Sequence, residues 1–230
     1  MALLDTVLSR IVAPTGAVGF AMFAESRGWG LFNVVAWPAW LELLLALLLL
    51  DLTIYLQHRV FHYVPVLWRL HRMHHADLEV DVSTGARFHP IEILLSLGIK
   101  FVVIVPLGAS SLAVLMFEIA LNATSMFNHS NVGVPQAVER VLRWLVVTPD
   151  MHRVHHSIVR RETDSNFGFN FPWWDRLFGT YQPQPDAGHD AMTCGIEQFR
   201  DLKELRLDRM LIQPFRDAEG RERRLTEGKK

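Results

Sequence analysis

One cysteine stands in 230 residues, Cys194. That excludes an internal disulfide framework, a C-x-x-C redox pair and a cysteine-ligated zinc or iron–sulfur site. A basic excess is missing too: 23 Lys/Arg face 24 Asp/Glu, so nothing points to a nucleic-acid partner. Charge of either sign is scarce early in the chain. Residues 1–138 carry 7 Lys/Arg and 9 Asp/Glu, whereas the remaining 92 positions carry 16 and 15. The early part is too apolar for a small soluble domain, and the later part reads as water-facing. The Lys/Arg-rich start and the cleavage pattern of a signal peptide are both lacking. No H-E-x-x-H occurs, because Arg follows the first histidine in all three clusters, so a catalytic zinc hydrolase is disfavoured.

What is present is long apolar runs. Residues 28–50 hold a single charge, Glu42, and the apolar character continues to Leu56. This exceeds the roughly 20 helical residues that cross a hydrocarbon core of about 30 Å. Pro38 suits a helix start, and Trp37 and Trp40 suit an interfacial belt. Ile11 to Ala24 is a weaker segment, read as a first crossing. From Ile91 to Phe127 only Glu92, Lys100 and Glu118 are charged, and Pro106, Gly108, Ser110 and Ser111 split the run into a helical hairpin turned near 106–110. The expected fold is all-α: membrane hairpins with about four crossings and a cytoplasmic helical cap. The expected divisions are 1–128 for hairpins and first motifs, 129–215 for the cap, and 216–230 for a disordered charged tail. Within the cap, residues 135–148 have helical apolar spacing, and 163–182 read as an irregular packed loop. Ile196, Phe199, Leu202, Leu205 and Met210 form one helical stripe ended by Pro214.

Histidine is abundant: 11 in all, ten of them between positions 58 and 156. His58 and His62 make an HxxxH pair. His71, His74 and His75 make HxxHH, and His152, His155 and His156 repeat it. His89 and His129 stand singly, each beside an end of the hairpin. Positions i, i+3 and i+4 share a helix face, so each motif can aim its imidazoles at one point. Eight to ten nitrogens exceed the four to six that one ion takes, which suggests two metals. The metal-ligand candidates are therefore His58, His62, His71, His74, His75, His89, His129, His152, His155 and His156, with His89 open between direct ligand and support. His189, in a Pro/Asp/Gly loop, is set aside. Asp51, Asp77, Asp81, Glu92, Asp150 and Asp175 are candidates to orient the ring N–H groups, and Asn131 and Asn166 to bring an amide near the site. Both histidine groups can meet only on one side of the membrane. Arg59, Arg69, Arg72, Arg87, Arg140, Arg143 and Arg153 flank them, which by the positive-inside rule makes that side cytoplasmic.

The order HxxxH, HxxHH and a later HxxHH among apolar hairpins resembles the fatty acid hydroxylase/sterol desaturase superfamily of integral-membrane di-iron enzymes. Leu67-Trp-Arg-Leu-His71, Arg87-Phe-His-Pro-Ile-Glu92, Phe127-Asn-His-Ser-Asn131 and Trp174-Asp-Arg-Leu-Phe-Gly-Thr180 are similar to its bacterial branch. The resemblance covers about residues 30–182. It implies two iron ions, which zinc can replace in purified protein, and O2 as co-substrate. It also implies a lipid substrate drawn from the bilayer, such as a fatty acyl chain, sterol or carotenoid, which is hydroxylated or desaturated. The electrons are expected from a separate donor protein, and the location is expected to be a bacterial inner membrane. The alternative is a histidine-rich membrane metal transporter or metal-binding protein. Transport calls for a polar path through the spans, and these spans carry few ionisable residues.

Overall fold

The computed structural model describes Met1, Leu4 and residues 16–216. Among the described residues every named element is helical, and the sole β contact is an isolated bridge between Ser157 and Cys194. Three helices are long and apolar enough to cross a membrane: α3 (Ala39–Tyr63), α5 (Pro90–Leu107) and α6 (Ser111–Asn128). They follow α1 (Gly16–Ser26) and α2 (Leu31–Val34), and α4 (Pro65–His75) lies between α3 and the hairpin. The region after α6, expected as a cap, contributes α7 (Gln136–Leu142), α8 (Pro149–His155), α9 (Arg160–Thr163), α10 (Trp173–Leu177) and α11 (Leu207–Ile212). The protein is an integral membrane protein by these spans.

Each span starts where the sequence supplies a cap. Pro38 precedes α3, and Pro90 occupies the first turn of α5, where a missing N–H costs nothing. Ser110 caps α6, its side chain accepting from Ala113 N. α5 runs through Pro106 and stops at Gly108, whose φ of 69° is left-handed. The turn is held from outside. Glu42, the lone charge of its run, accepts from Ser110 N, and Glu25 accepts from Ser111 N, both at 3.3 Å. These carboxylates answer the free N–H groups at the start of α6.

Alanine sets the packing. Ala21, Ala46 and Ala113 are fully buried where α1, α3 and α6 meet, beside Leu50, Ile104, Val114 and Phe117. Small residues let membrane helices approach closely, since lipid tails give apolar side chains no reason to leave them. Val102 and Ile119, by contrast, point outward from the bundle.

One sequence expectation changes here, and others are filled in. Of the segment 11–24, residues 16–24 fall in α1; residues 11–15 lie outside the described residues, as does the tail from 217. α3 runs past the apolar stretch to Tyr63, so the first histidine pair rides on a membrane helix. The stripe over 196–211 is not one helix. Phe199 has φ of 59°, Asp201 caps a short 3-10 turn at Leu202–Leu205, Arg206 is extended, and only then does α11 begin. Ile196 and Met210 are buried while Leu202 is three-quarters exposed, so the periodic positions share no face.

The hairpin turn yields a stability prediction. Gly30, at φ of 92°, packs so closely that a Cβ would sit 2.2 Å from Gly108 N. Gly30→Ala should lose about 1–3 kcal/mol, from the left-handed backbone and the clash together. Gly98→Ala, where a Cβ meets nothing within 4 Å, should be neutral or stabilising. Thermal unfolding in detergent compares the two, and equal midpoints would contradict the packing described.

Candidate metal centre

The ends of α3, α4, α6 and α8 converge on one side of the spans, and each delivers histidines for a local reason. His58 and His62 are one turn apart on the last turns of α3. Val64 breaks that helix and Pro65 starts α4, whose final turns carry His71, His74 and His75. His129 is the C-terminal cap of α6. Thr148 caps α8, bonding Glu139 at 2.6 Å, and so places His152, His155 and His156.

Nine of these rings form two groups. His58, His62, His71, His75 and His155 make one; His74, His129, His152 and His156 make the other. Within each group, one ligand atom per residue lies within 4.8 Å of all the others. The division cuts across the motifs. His71 and His75 go one way and His74 the other, and His155 parts from His152 and His156. Neighbours at i and i+4 share a face, while i+3 can be turned toward a second point.

Backbone and carboxylate acceptors fix many of the rings. His58 Nδ1 donates to Phe167 O at 2.8 Å, His155 Nδ1 to Ser165 O at 2.7 Å and His129 Nδ1 to Ser125 O at 2.6 Å. His71 Nδ1 meets Glu92 Oε1 at 2.6 Å, and His62 Nδ1 meets Asp164 Oδ1 at 3.2 Å. A ring that spends its N–H this way turns the Nε2 lone pair toward the centre. There the nitrogens crowd: His58 and His71 Nε2 are 3.1 Å apart, and His129 Nε2 lies 3.0 Å from His152, 3.3 Å from His74 and 3.3 Å from His156. Two donors each about 2.1 Å from a shared ion, at angles near 90–110°, would stand about 3.0–3.4 Å apart. Both nitrogens of His75, and Nε2 of His62 and His155, are buried with no partner. Orphaned buried nitrogens are costly, so the donor set fits metal ions.

Six of the rings outside the spans are also held neutral. Burial is the leading cause, with neighbouring histidines adding to it: His74, His75, His152 and His156 all fall well below 6.5. Burial takes His129 down to about 4 and His155 to about 3, against carbonyl bonds that pull the other way. A neutral imidazole keeps the lone pair that a metal requires.

The remaining candidates occupy other places. His89 lies outside both groups: it caps α5, its Nδ1 accepting from Ile91 N, and its Nε2 bonds Leu211 O, each at 3.2 Å. Both its nitrogens are thereby engaged. His189 is also outside. Of the acidic candidates, Glu92 reaches a ring directly. Asp175 acts one step back, accepting from Phe167 N and Gly168 N and so steadying the carbonyl that holds His58. Burial raises Asp175 to about 6 despite these bonds. Asp51 accepts from Trp174 Nε1, Asp77 pairs with Arg87, Asp81 caps a turn at Ser83, and Asp150 sits in the first turn of α8. Asn131, itself exposed, accepts from half-buried Arg153. Asn166, at φ of 49°, ties Met151 O to Gln182 O. Sequence reasoning missed Asp164 and the three carbonyls. Only the tertiary course of the 157–170 loop brings Asp164 to His62, and no spacing announces it.

The depressed histidines set an acid limit on metal-free protein. Unfolded, these rings protonate near 6.5; folded, His129 and His155 wait until about 4 and 3. Below 6.5 the unfolded chain binds more protons, so their stabilisation is present above that value and drains as pH falls toward 4 and 3. The unfolding midpoint of chelated protein should drop steadily from about pH 7 to about pH 5. A flat profile would contradict the burial of neutral rings.

Comparison with known proteins agrees with this geometry. A family model for fatty acid hydroxylase matches residues 43–180. Ornithine lipid hydroxylase OlsE of Rhizobium tropici is 31% identical over 159 residues, covering 68% of this chain and 47% of that protein. Alkylglycerol monooxygenase of Xenopus tropicalis is 29% identical over 172 residues, covering 73% and 35%. Fatty acid hydroxylase vlmA of Lecanicillium sp is 29% identical over 158 residues, covering 63% and 43%. The chain thus spans less than half the length of these relatives. No solved structure matches it significantly. With the match covering both histidine groups and all three spans but the first turn of α3, the chain belongs to the fatty acid hydroxylase family.

Proposed function

We propose that this chain is a membrane-bound, O2-dependent di-iron oxygenase that hydroxylates a lipid. The observation that carries the reading is the nine buried imidazoles gathered beside a largely apolar cavity that His58 and His71 reach. That cavity has a volume of about 410 Å³, and His58, His71, Phe61, Phe88 and Leu97 line it. It lies among the spans, where a lipid can enter from the bilayer. The names of the relatives, an ornithine lipid hydroxylase and an alkylglycerol monooxygenase, support hydroxylation over desaturation and a lipid that carries a polar group.

His58, His62, His71, His75 and His155 would hold one iron, and His74, His129, His152 and His156 the other. Iron bound there supplies the activation of O2 toward an unactivated C–H bond. The protein's own residues hold the ligands and keep the site dry. Glu92 and Asp164 fix the rings of His71 and His62, and the Phe167, Ser165 and Ser125 carbonyls fix His58, His155 and His129. Phe61, Phe88 and Phe169 place apolar walls against the rings and the cavity. Excluding water strengthens these polar contacts and protects reactive species from side reactions. The electrons come from a separate donor protein. The arginines that flank the histidine motifs support a cytoplasmic placement of the centre, in a bacterial inner membrane.

Alanine in place of any of the nine should abolish lipid hydroxylation in membranes, normalised to protein level, because a site missing one nitrogen is refilled only by water. Glu92→Gln should retain folding and lose about 10–100-fold in activity. His89→Ala should keep more activity than any of the nine, and His189→Ala should match wild type. Full activity in any two of the nine would overturn the composite centre. Tags placed in the 76–82 loop and near 107–110 should report opposite faces, the former cytoplasmic; the same face for both would overturn the topology.

A further inference from the structure

The membrane helices contain an ion pair that the metal centre does not use. Lys100 lies midway along α5 and Glu118 midway along α6, and Lys100 Nζ donates to Glu118 Oε1 at 2.5 Å. Their side chains are 12% and 24% exposed, so neither is sealed in protein. Charges at such a depth are expensive, and a pair in water-poor surroundings repays its desolvation only with good geometry and further hydrogen bonds. Packing alone gives little reason to keep it, since apolar residues of similar size would serve helix contact as well.

Its position supplies a reason. Both residues line the same cavity that His58 and His71 line at its other end. Glu92, which holds His71, and Lys100 are eight residues apart on α5, about 12 Å at about 1.5 Å per residue. The ammonium has three donors and gives one to Glu118; the carboxylate has a second oxygen. Ser96 and Asn122, each one turn from a member of the pair, line the cavity as well. Asn122 Nδ2 bonds Glu118 O at 2.7 Å. The end of the cavity remote from the histidines therefore carries polar groups, with Ile54, Ile93, Leu97, Leu121 and Phe169 among the walls between.

We propose that Lys100 and Glu118 form a recognition subsite for a polar group of the lipid, placed about 12 Å along α5 from Glu92, which holds His71. The group both donates and accepts, as a hydroxyl or amide does. A bare alkyl tail laid against the pair would strand its spare donors and acceptor, whereas a hydroxyl satisfies both charges at once. The subsite selects among lipids and fixes how far along the chain oxidation falls. This inference rests on the lipid-oxygenase reading.

The test uses the full chain in nanodiscs and a matched pair of probes, a long primary alkanol and the alkane of equal length, with concentrations counted in the bilayer. Wild type should bind the alkanol about tenfold more tightly, the worth of a hydrogen bond to a charged group. The double variant Lys100→Met/Glu118→Leu should lose that preference and keep its metal content. A diazirine set beside the hydroxyl should label α5 near Lys100 and α6 near Glu118, a readout that needs no variant. Equal binding of the two probes by wild type, a preference that survives in the double variant, or labelling confined to other elements would each overturn the subsite. Wild type that oxidises lipids but shows no preference would sink the subsite and leave the proposed function. A preference found in protein that oxidises no lipid would do the reverse.

Discussion

Burying nine imidazoles together is the constraint on which the rest of the structure depends. Each ring has one N–H and one lone pair at neutral charge, and water is not there to satisfy either. Carbonyls and carboxylates take the N–H of His58, His62, His71, His129 and His155. That leaves the Nε2 lone pairs of His58 and His71 facing each other at 3.1 Å, a repulsion that a cation between them relieves. Metal binding is thus part of the folding energetics, not an addition to a finished scaffold.

The membrane bundle and the cap divide the labour. Alanine-packed spans fix the ends of α3, α5 and α6 at one level, giving His58, His62, Glu92 and His129 a common floor. The cap then closes over it. Asp175 organises Phe167 and Gly168, Asn166 ties its loop to α8, and Trp174 reaches down to Asp51 on α3. Arg72 and Arg69 bond carbonyls of the segment 213–216, drawing the end of the described chain under α4. Among the described residues, a cavity that reaches His58 and His71 is lined largely by the membrane helices.

What the sequence revealed was what is local. The spacing of His58/His62 and the two HxxHH motifs follows helical periodicity, and Pro106, Gly108 and Ser110 mark the hairpin turn, so both could be read in order along the chain. Partition of the rings could not. That His74 leaves His71 and His75 to join His129, and that His155 crosses to the other group, depends on how four helix ends meet. The stripe at 196–211 misled because apolar spacing reports burial only where the backbone stays helical, and Phe199 turns left-handed. His89 carried the right residue type at the right end of a helix, but Pro90 makes it a cap, and capping spends its nitrogen on Ile91. Lys100 and Glu118 were visible as lone charges, 18 positions apart; only the antiparallel hairpin makes them a pair.

The central claim is that two adjacent ions share nine histidines in groups of five and four. Metal analysis of folded protein, combined with X-ray absorption at the iron edge, tests it most directly. The account predicts about two metals per chain, each with a shell of nitrogen and oxygen and the multiple scattering of several imidazoles. It further predicts that His156→Ala lowers the content toward one while the ion of the five-histidine group remains. One metal or none in intact wild type, or a shell dominated by carboxylate with few imidazoles, would contradict it.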